Sequence, residues 1–173
     1  NGYKQKSFSF YSAIISDMKN DTLHYSRIID TPLGYMVTVA DDKGLYSLDF
    51  TKDTLSRSHS DHPLLLQLKK ELSEYFEGTR KEFSIPLRAQ GTPFQQEVWK
   101  TLLTIGYGET ISYAQEAERF GNPKAVRAVA STNGKNPIGI LIPCHRVIAS
   151  GGGLGGYSGG IDKKQFLLAL EQK

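Results

Sequence analysis

The sequence predicts an α+β fold: a small N-terminal antiparallel sheet with a covering helix, then a mostly helical C-terminal domain containing a helix-turn-helix. Three observations carry this. Residues 25–50 hold short β-rich runs separated by turn residues, residues 63–76 repeat leucine at helical spacing, and residues 92–134 hold helix-start signatures separated by glycine breaks.

Residues 1–24 are polar and aromatic without periodicity, an N-terminal extension of unassigned structure. Residues 25–29 and 35–40 read as strands around the turn Thr31-Pro32-Leu33-Gly34. Asp41-Asp42-Lys43-Gly44 makes a hairpin into residues 45–50, where alternation places Tyr46, Leu48 and Phe50 on one covered face. Residues 51–60 are a polar loop. Asp61 and Pro63 start a helix with Leu64, Leu65, Leu68, Leu72 and Tyr75 on its apolar side, ended by Gly78. Residues 82–87 are extended, and Ala89-Gln90-Gly91 links a small α/β domain (25–88) to a helical one (91–173).

In the second half, Thr92-Pro93-Phe94-Gln95 and Ser112-Tyr113-Ala114-Gln115 are capping boxes, in which side chains satisfy the first free amides of a helix. Asn122-Pro123 caps a third helix, residues 124–132, stopped by Asn133-Gly134. Two short helices joined by a glycine-containing turn predict the helix-turn-helix. A last helix, capped by Asp162 with Gln165 at its third position, buries Phe166, Leu167 and Leu170.

Composition excludes several classes. The longest apolar run falls far short of the roughly 20 residues of a membrane-crossing helix. One cysteine rules out an intramolecular disulfide and multi-cysteine zinc sites, and fits a reducing compartment; the four histidines have no ligand-like spacing, so no metal is predicted. Net charge is only +3, but residues 119–146 carry five basic side chains and no acidic one, which suits a phosphate-contacting surface.

The one cysteine lies in Ile142-Pro143-Cys144-His145-Arg146-Val147. A reactive thiol needs a base or cation nearby, and His145 and Arg146 are candidates; the competing reading is an inert buried cysteine. Of residues 151–160, seven are glycine. Their G-x-G-x-x-G spacing lacks the βαβ surroundings of a dinucleotide site, so the run reads as backbone that approaches something closely or moves. On the third helix, Lys124, Ala125, Arg127, Ala128 and Ser131 share an outer face of small and basic residues suited to a nucleic-acid groove, with plain helix packing as the alternative.

Pro143-Cys144-His145-Arg146-Val147, the run from Gly121 through Asn122-Pro123-Lys124-Ala125-Val126-Arg127-Ala128 to Val129, Ser112-Tyr113, and Gly156-Tyr157-Ser158-Gly159 together resemble the O6-alkylguanine-DNA alkyltransferase family over residues 91–171. The resemblance implies repair of O6-methylguanine, and less readily O4-methylthymine, by irreversible, stoichiometric alkyl transfer to Cys144 without a cofactor. It implies double-stranded DNA held through the minor groove by Ser112, Lys124, Ala125, Arg127 and Ala128, with Arg127 replacing the flipped nucleotide. By the same resemblance, His145 would take the thiol proton through a water, braced by Glu171 and Asn136, and Tyr113 would donate a proton toward the leaving base. Carbonyls of Cys144 and Val147 and the amide of Ser158 read the base, and Tyr157 and Gly139 wall the alkyl pocket. A monomer able to cluster on DNA, in the cytoplasm or a eukaryotic nucleus and away from membranes, is the corresponding expectation.

Gly139 stands where some relatives carry proline, which implies a smaller or more mobile pocket wall. A cysteine hydrolase is disfavoured because sequence neighbours rarely place sulfur and imidazole for direct proton transfer. An alkyltransferase-like lesion binder is disfavoured by the intact Cys144, and a helix-turn-helix regulator by the lack of a dimer helix.

Overall fold

The computed structural model describes residues 23–52 and 59–173. Most of the unassigned extension and the middle of the expected polar loop lie outside the described residues. Strands β1 (Tyr25–Thr31), β2 (Gly34–Asp41) and β3 (Gly44–Phe50) form an antiparallel meander, and helices follow, so the α+β class holds.

The expected alternation in β3 is broken by a bulge. Ala40 pairs with Leu45 but Val39 pairs with Ser47, so Tyr46 is an inserted residue. The core face is therefore Leu45, Leu48 and Phe50. Tyr46 instead donates its hydroxyl to Asp41 at 2.8 Å, beneath the Arg88 guanidinium.

Helix α1 (Pro63–Phe76) packs on this sheet with Leu65, Leu68, Leu72 and Tyr75 buried. Its cap is His62, whose Nδ1 accepts from the Leu64 amide, while Asp61 is drawn off to Arg27 at 2.7 Å. Residues 82–87 add no full strand; only Leu87 bridges to Leu45. The free edge of β3 is nonetheless covered. Leu45 exchanges backbone hydrogen bonds with Pro86 and Arg88, and Leu48 does so with Pro137 and Gly139. That second seam holds the apolar run just ahead of Cys144 against the sheet.

Helix α2 (Pro93–Leu102) begins at the predicted Thr92–Gln95 capping box, and α3 (Tyr113–Arg119) at the predicted Ser112–Gln115 box. Asn122 starts one 3-10 turn, Pro123–Ala125, before α4 (Val126–Asn133), so the third helix is tighter at its start than expected. Two-residue strands β4 (Ile111–Ser112) and β5 (Val147–Ile148) pair in parallel and tie the start of α3 to the chain after Cys144.

Helix α5 (Ile161–Glu171) departs from expectation at two points. Gly160 occupies the cap position and Asp162 lies inside the first turn. The buried face is Lys164, Leu167, Leu170 and Glu171 at helical spacing, and Phe166, one step round the helix from Leu167, is 40% exposed beside Phe76. That face matters because it points Lys164 and Glu171 inward.

Candidate active site

Cys144 opens a 3-10 turn (Cys144–Arg146) that follows the buried run Ile140, Leu141, Ile142. Its Sγ accepts from Asn136 Nδ2 at 3.2 Å, and the same Nδ2 donates to the Ile142 carbonyl at 2.7 Å. Asn136 Oδ1 accepts from the Ile138 amide at 3.0 Å, so both ends of this amide are held. The resemblance assigned Asn136 to bracing His145; the structure gives it to the sulfur. Burial pushes the thiol up to about 11, opposed by the Asn136 hydrogen bond and the Lys164 charge.

His145 is fully buried, with Nε2 2.8 Å from Glu171 Oε1. A carboxylate can only accept, so the ring proton belongs on Nε2 and the Nδ1 lone pair is left free. Nδ1 has no hydrogen-bond partner among the described residues. Burial lowers the imidazole pKa, and Glu171 pulls it back up. Arg146, read from sequence as a cation for the thiol, instead grips Glu171 through Nε at 2.8 Å and Nη2 at 3.0 Å and the Ile105 carbonyl through Nη1 at 2.6 Å. Tyr75 and the Gly108 amide also donate to Glu171. Burial alone raises this carboxyl, but the hydrogen bonds from His145 and Arg146 override it and hold it well below the usual carboxylate range.

Beside the thiol lies a cavity of about 570 Å³ whose walls include Tyr113, Asn133, Cys144, Tyr157 and Ser158. Burial and the neighbouring thiol raise Tyr113, so its hydroxyl stays a proton donor; burial does the same to Tyr157. Gly155 has φ +69°, and a Cβ there would lie 2.8 Å from the Tyr113 hydroxyl oxygen. A Cβ on Gly159 would meet the rings of Phe50 and Tyr157 at 2.9 Å. At these two positions the glycine run is backbone pressed against the aromatic walls. Gly139 does not line this cavity; it lies in the β3 seam and donates its amide to Leu48. Val147 is buried behind the wall, its carbonyl taken by Lys164 Nζ at 2.6 Å.

The cavity is continued by Ala130, Ser131 and Gly134 from the end of α4. Only Ser131 of these stands among the groove-facing residues read from sequence; all three follow Arg127 at helical spacing and so share its side of the helix. Lys124, Arg127 and Ala128 are exposed on that helix, whereas Ala125 is half-buried against Val98, Ala117 and Val129. Ser112 is engaged as the α3 cap, accepting from the Gln115 amide at 3.1 Å. Lys164 and Tyr75 were also missed. Both are fully buried, and no local pattern distinguishes them from ordinary helix residues.

Among the described residues no group of three or more His, Cys, Asp or Glu is arranged to hold a metal, and no helix is long and apolar enough to cross a membrane.

A buried nucleophile on a cavity wall, a histidine–carboxylate pair behind it and a helix-turn-helix beside the cavity define a nucleic-acid-directed thiol transferase. Residues 93–173 match the 6-O-methylguanine DNA methyltransferase DNA-binding domain, and residues 24–89 match the ribonuclease-like domain of the same family. The chain belongs to the 6-O-methylguanine DNA methyltransferase family. It is 46% identical over 154 residues to the methylated-DNA–protein-cysteine methyltransferase of Mycobacterium tuberculosis, covering 87% of this chain and 93% of that one. It is 41% identical to the constitutive Bacillus subtilis protein of the same name, covering 87% and 96%. The crystal structure of M. tuberculosis OGT in complex with DNA superposes with a TM-score of 0.78 at 44% identity, covering 86% of this chain and 92% of that one.

Proposed function

We propose that this protein repairs O6-methylguanine in double-stranded DNA by moving the methyl group to Cys144, once per molecule. The observation that carries the reading is the position of the Cys144 thiol on the wall of a cavity roomy enough for a flipped base and bordered by the helix that bears Arg127. A base within a duplex cannot reach a sulfur so enclosed, so the nucleotide is flipped out. Arg127, exposed on a helix otherwise small at Ala125 and Ala128, fills the gap in the stack as the helix-turn-helix enters the minor groove, with Lys124 and Ser112 on the backbone.

Transfer is an in-line displacement. The S–C bond forms as the O6–C bond breaks, and guanine departs with the electron pair. The thiol proton passes through a water to His145 Nδ1, while Glu171 holds the opposite ring edge as orienter. Tyr113 donates a proton to the departing base, and His145 returns its proton to Tyr113 or to solvent, so charge balances. Asn136 stabilises the thiolate as it forms. The amide of Ser158 and the carbonyl of Cys144 read the base edge, with Tyr157 against the alkyl group. The N-terminal unit, residues 25–88, supports the alkyl-transfer unit, residues 91–173. The protein acts as a monomer that can cluster on DNA, in the cytoplasm or a eukaryotic nucleus.

The test is intact mass and peptide mapping after incubation with duplex DNA containing O6-methylguanine. One CH2 gained on Cys144, stoichiometric and absent in Cys144→Ser, is expected. Unmodified protein that still binds the DNA would mean a lesion binder, and turnover of ester substrates a hydrolase.

A further inference from the structure

Glu171 Oε1 accepts from three groups at once: Tyr75 Oη at 2.7 Å, His145 Nε2 at 2.8 Å and Arg146 Nη2 at 3.0 Å. Two of these belong to the turn that carries Cys144. The third comes from α1, 96 residues away in sequence and on the far side of the link between the two halves of the chain. The Tyr75 ring is fully buried and fixed by Phe76, Phe83 and Tyr107, whose centroids lie 5.4, 5.4 and 6.1 Å away.

We propose that Tyr75 is a positioning residue for alkyl transfer: its hydroxyl holds the Glu171 carboxylate in place and, through that oxygen, sets the proton affinity of His145. This rests on the reading of Cys144 as an alkyl acceptor with His145 as its base. A carboxylate divides its basicity among its donors. Taking one donor from Oε1 makes that oxygen bind the Nε2 proton more strongly, and imidazolium becomes easier to form. Tyr75 itself stays protonated, because burial and the neighbouring Glu171 charge push its pKa far up. The charged and titratable groups around the pair are Glu171 and Lys164 on α5, Arg146 on the same turn as His145, and Tyr107 before β4. Of these tyrosines only Tyr75 donates to the carboxylate; the Tyr107 hydroxyl lies 3.4 Å from the Leu170 carbonyl instead. The sheet-and-helix unit therefore supplies a working part of the reactive centre as well as a surface for it to rest on.

Tyr75→Phe removes one oxygen and keeps the ring packing, and Tyr107→Phe is the control from the same cluster. Two readouts apply to the whole chain: the pH dependence of single-turnover methyl transfer from O6-methylguanine duplex, and the ¹⁵N NMR titration of the His145 ring. In Tyr75→Phe the acid limb moves to higher pH, with transfer reduced about three- to tenfold near pH 6 and close to wild type above pH 8, and the His145 titration moves up with it. Tyr107→Phe leaves both in place. A Tyr75→Phe profile that superposes on wild type overturns the proposal, as does a loss equal at every pH with the His145 titration unmoved. Wild-type protein that gains no methyl group overturns the repair reading and the role in transfer with it. The His145 titration then still decides whether Tyr75 governs that ring.

Discussion

Asn136 Nδ2 lies 3.2 Å from Cys144 Sγ and is held there by the Ile142 carbonyl and the Ile138 amide on either side of its own amide group. A neutral donor fixed against sulfur favours the thiolate, which burial otherwise opposes. Asn136→Ala should therefore raise the thiol pKa and slow alkylation of Cys144 by iodoacetamide at pH 7.5 about tenfold, the effect of losing one hydrogen bond to a charged group. An unchanged rate against pH would remove Asn136 from thiol activation.

Breaking the buried Glu171–Arg146 pair leaves a guanidinium without its counter-charge. Glu171→Gln should cost about 3–5 kcal/mol in denaturant unfolding, separately from any loss of transfer. The pH dependence follows in sign. The folded-state pKa of Glu171 lies below its ordinary 4.5, so its stabilisation is present above that value and fades as pH falls through and below it. Wild type should lose stability on acidification below about pH 4.5, and Glu171→Gln should lose less.

Glu116 behaves in the opposite direction. It is wholly buried on α3, and its single hydrogen-bond partner among the described residues is Asn133 Nδ2 at 2.7 Å, with Oε1 unpaired. Burial, opposed by the Asn133 bond, raises its pKa to about 7. The folded state therefore binds this proton more tightly than the unfolded chain, and stability is lost as pH rises from 4.5 toward 7. Glu116→Leu should abolish that decline, removing a loss of about 3 kcal/mol that the wild type suffers between pH 4.5 and pH 8. Urea unfolding at pH 5 and pH 8 checks it; a variant whose stability falls as far as wild type over that range contradicts the assignment.

Arg127→Ala separates flipping from chemistry. The side chain is exposed on α4, away from the thiol, so reaction with a free O6-alkylated base should change less than twofold. Transfer from duplex DNA should fall about a hundredfold or more, since unstacking goes uncompensated. Equal losses on both substrates would count against the flipping role.

What the sequence reveals here depends on how far each signal reaches along the chain. The two capping boxes are closed within four residues, and both form where their residues predict. Tyr46 was misplaced because one extra residue in β3 reverses every side chain beyond it, and alternation carries no sign of an insertion. Phe166 was misplaced because hydrophobicity alone favours its ring over the Lys164 and Glu171 that take the inner face of α5. Cys144 and Tyr113 stand out through motifs. Tyr75 and Lys164 do not, because their importance arises only when distant segments meet: Tyr75 at Glu171, and Lys164 at the carbonyls of Val147 and Gly156. Gly139 illustrates the reverse. Its place in a motif suggested the pocket, whereas its amide is committed to Leu48.

The glycines at 151–160 are not equivalent as targets of mutation. Gly155 and Gly159 leave no room for a methyl group, whereas a Cβ on Gly151 or Gly156 would meet nothing within 4 Å. Over generations the first two positions are closed to drift while the others can wander. A lineage changing its substrate range would therefore find freedom at Gly151 and Gly156, and resistance where bare backbone touches Tyr113 and Tyr157.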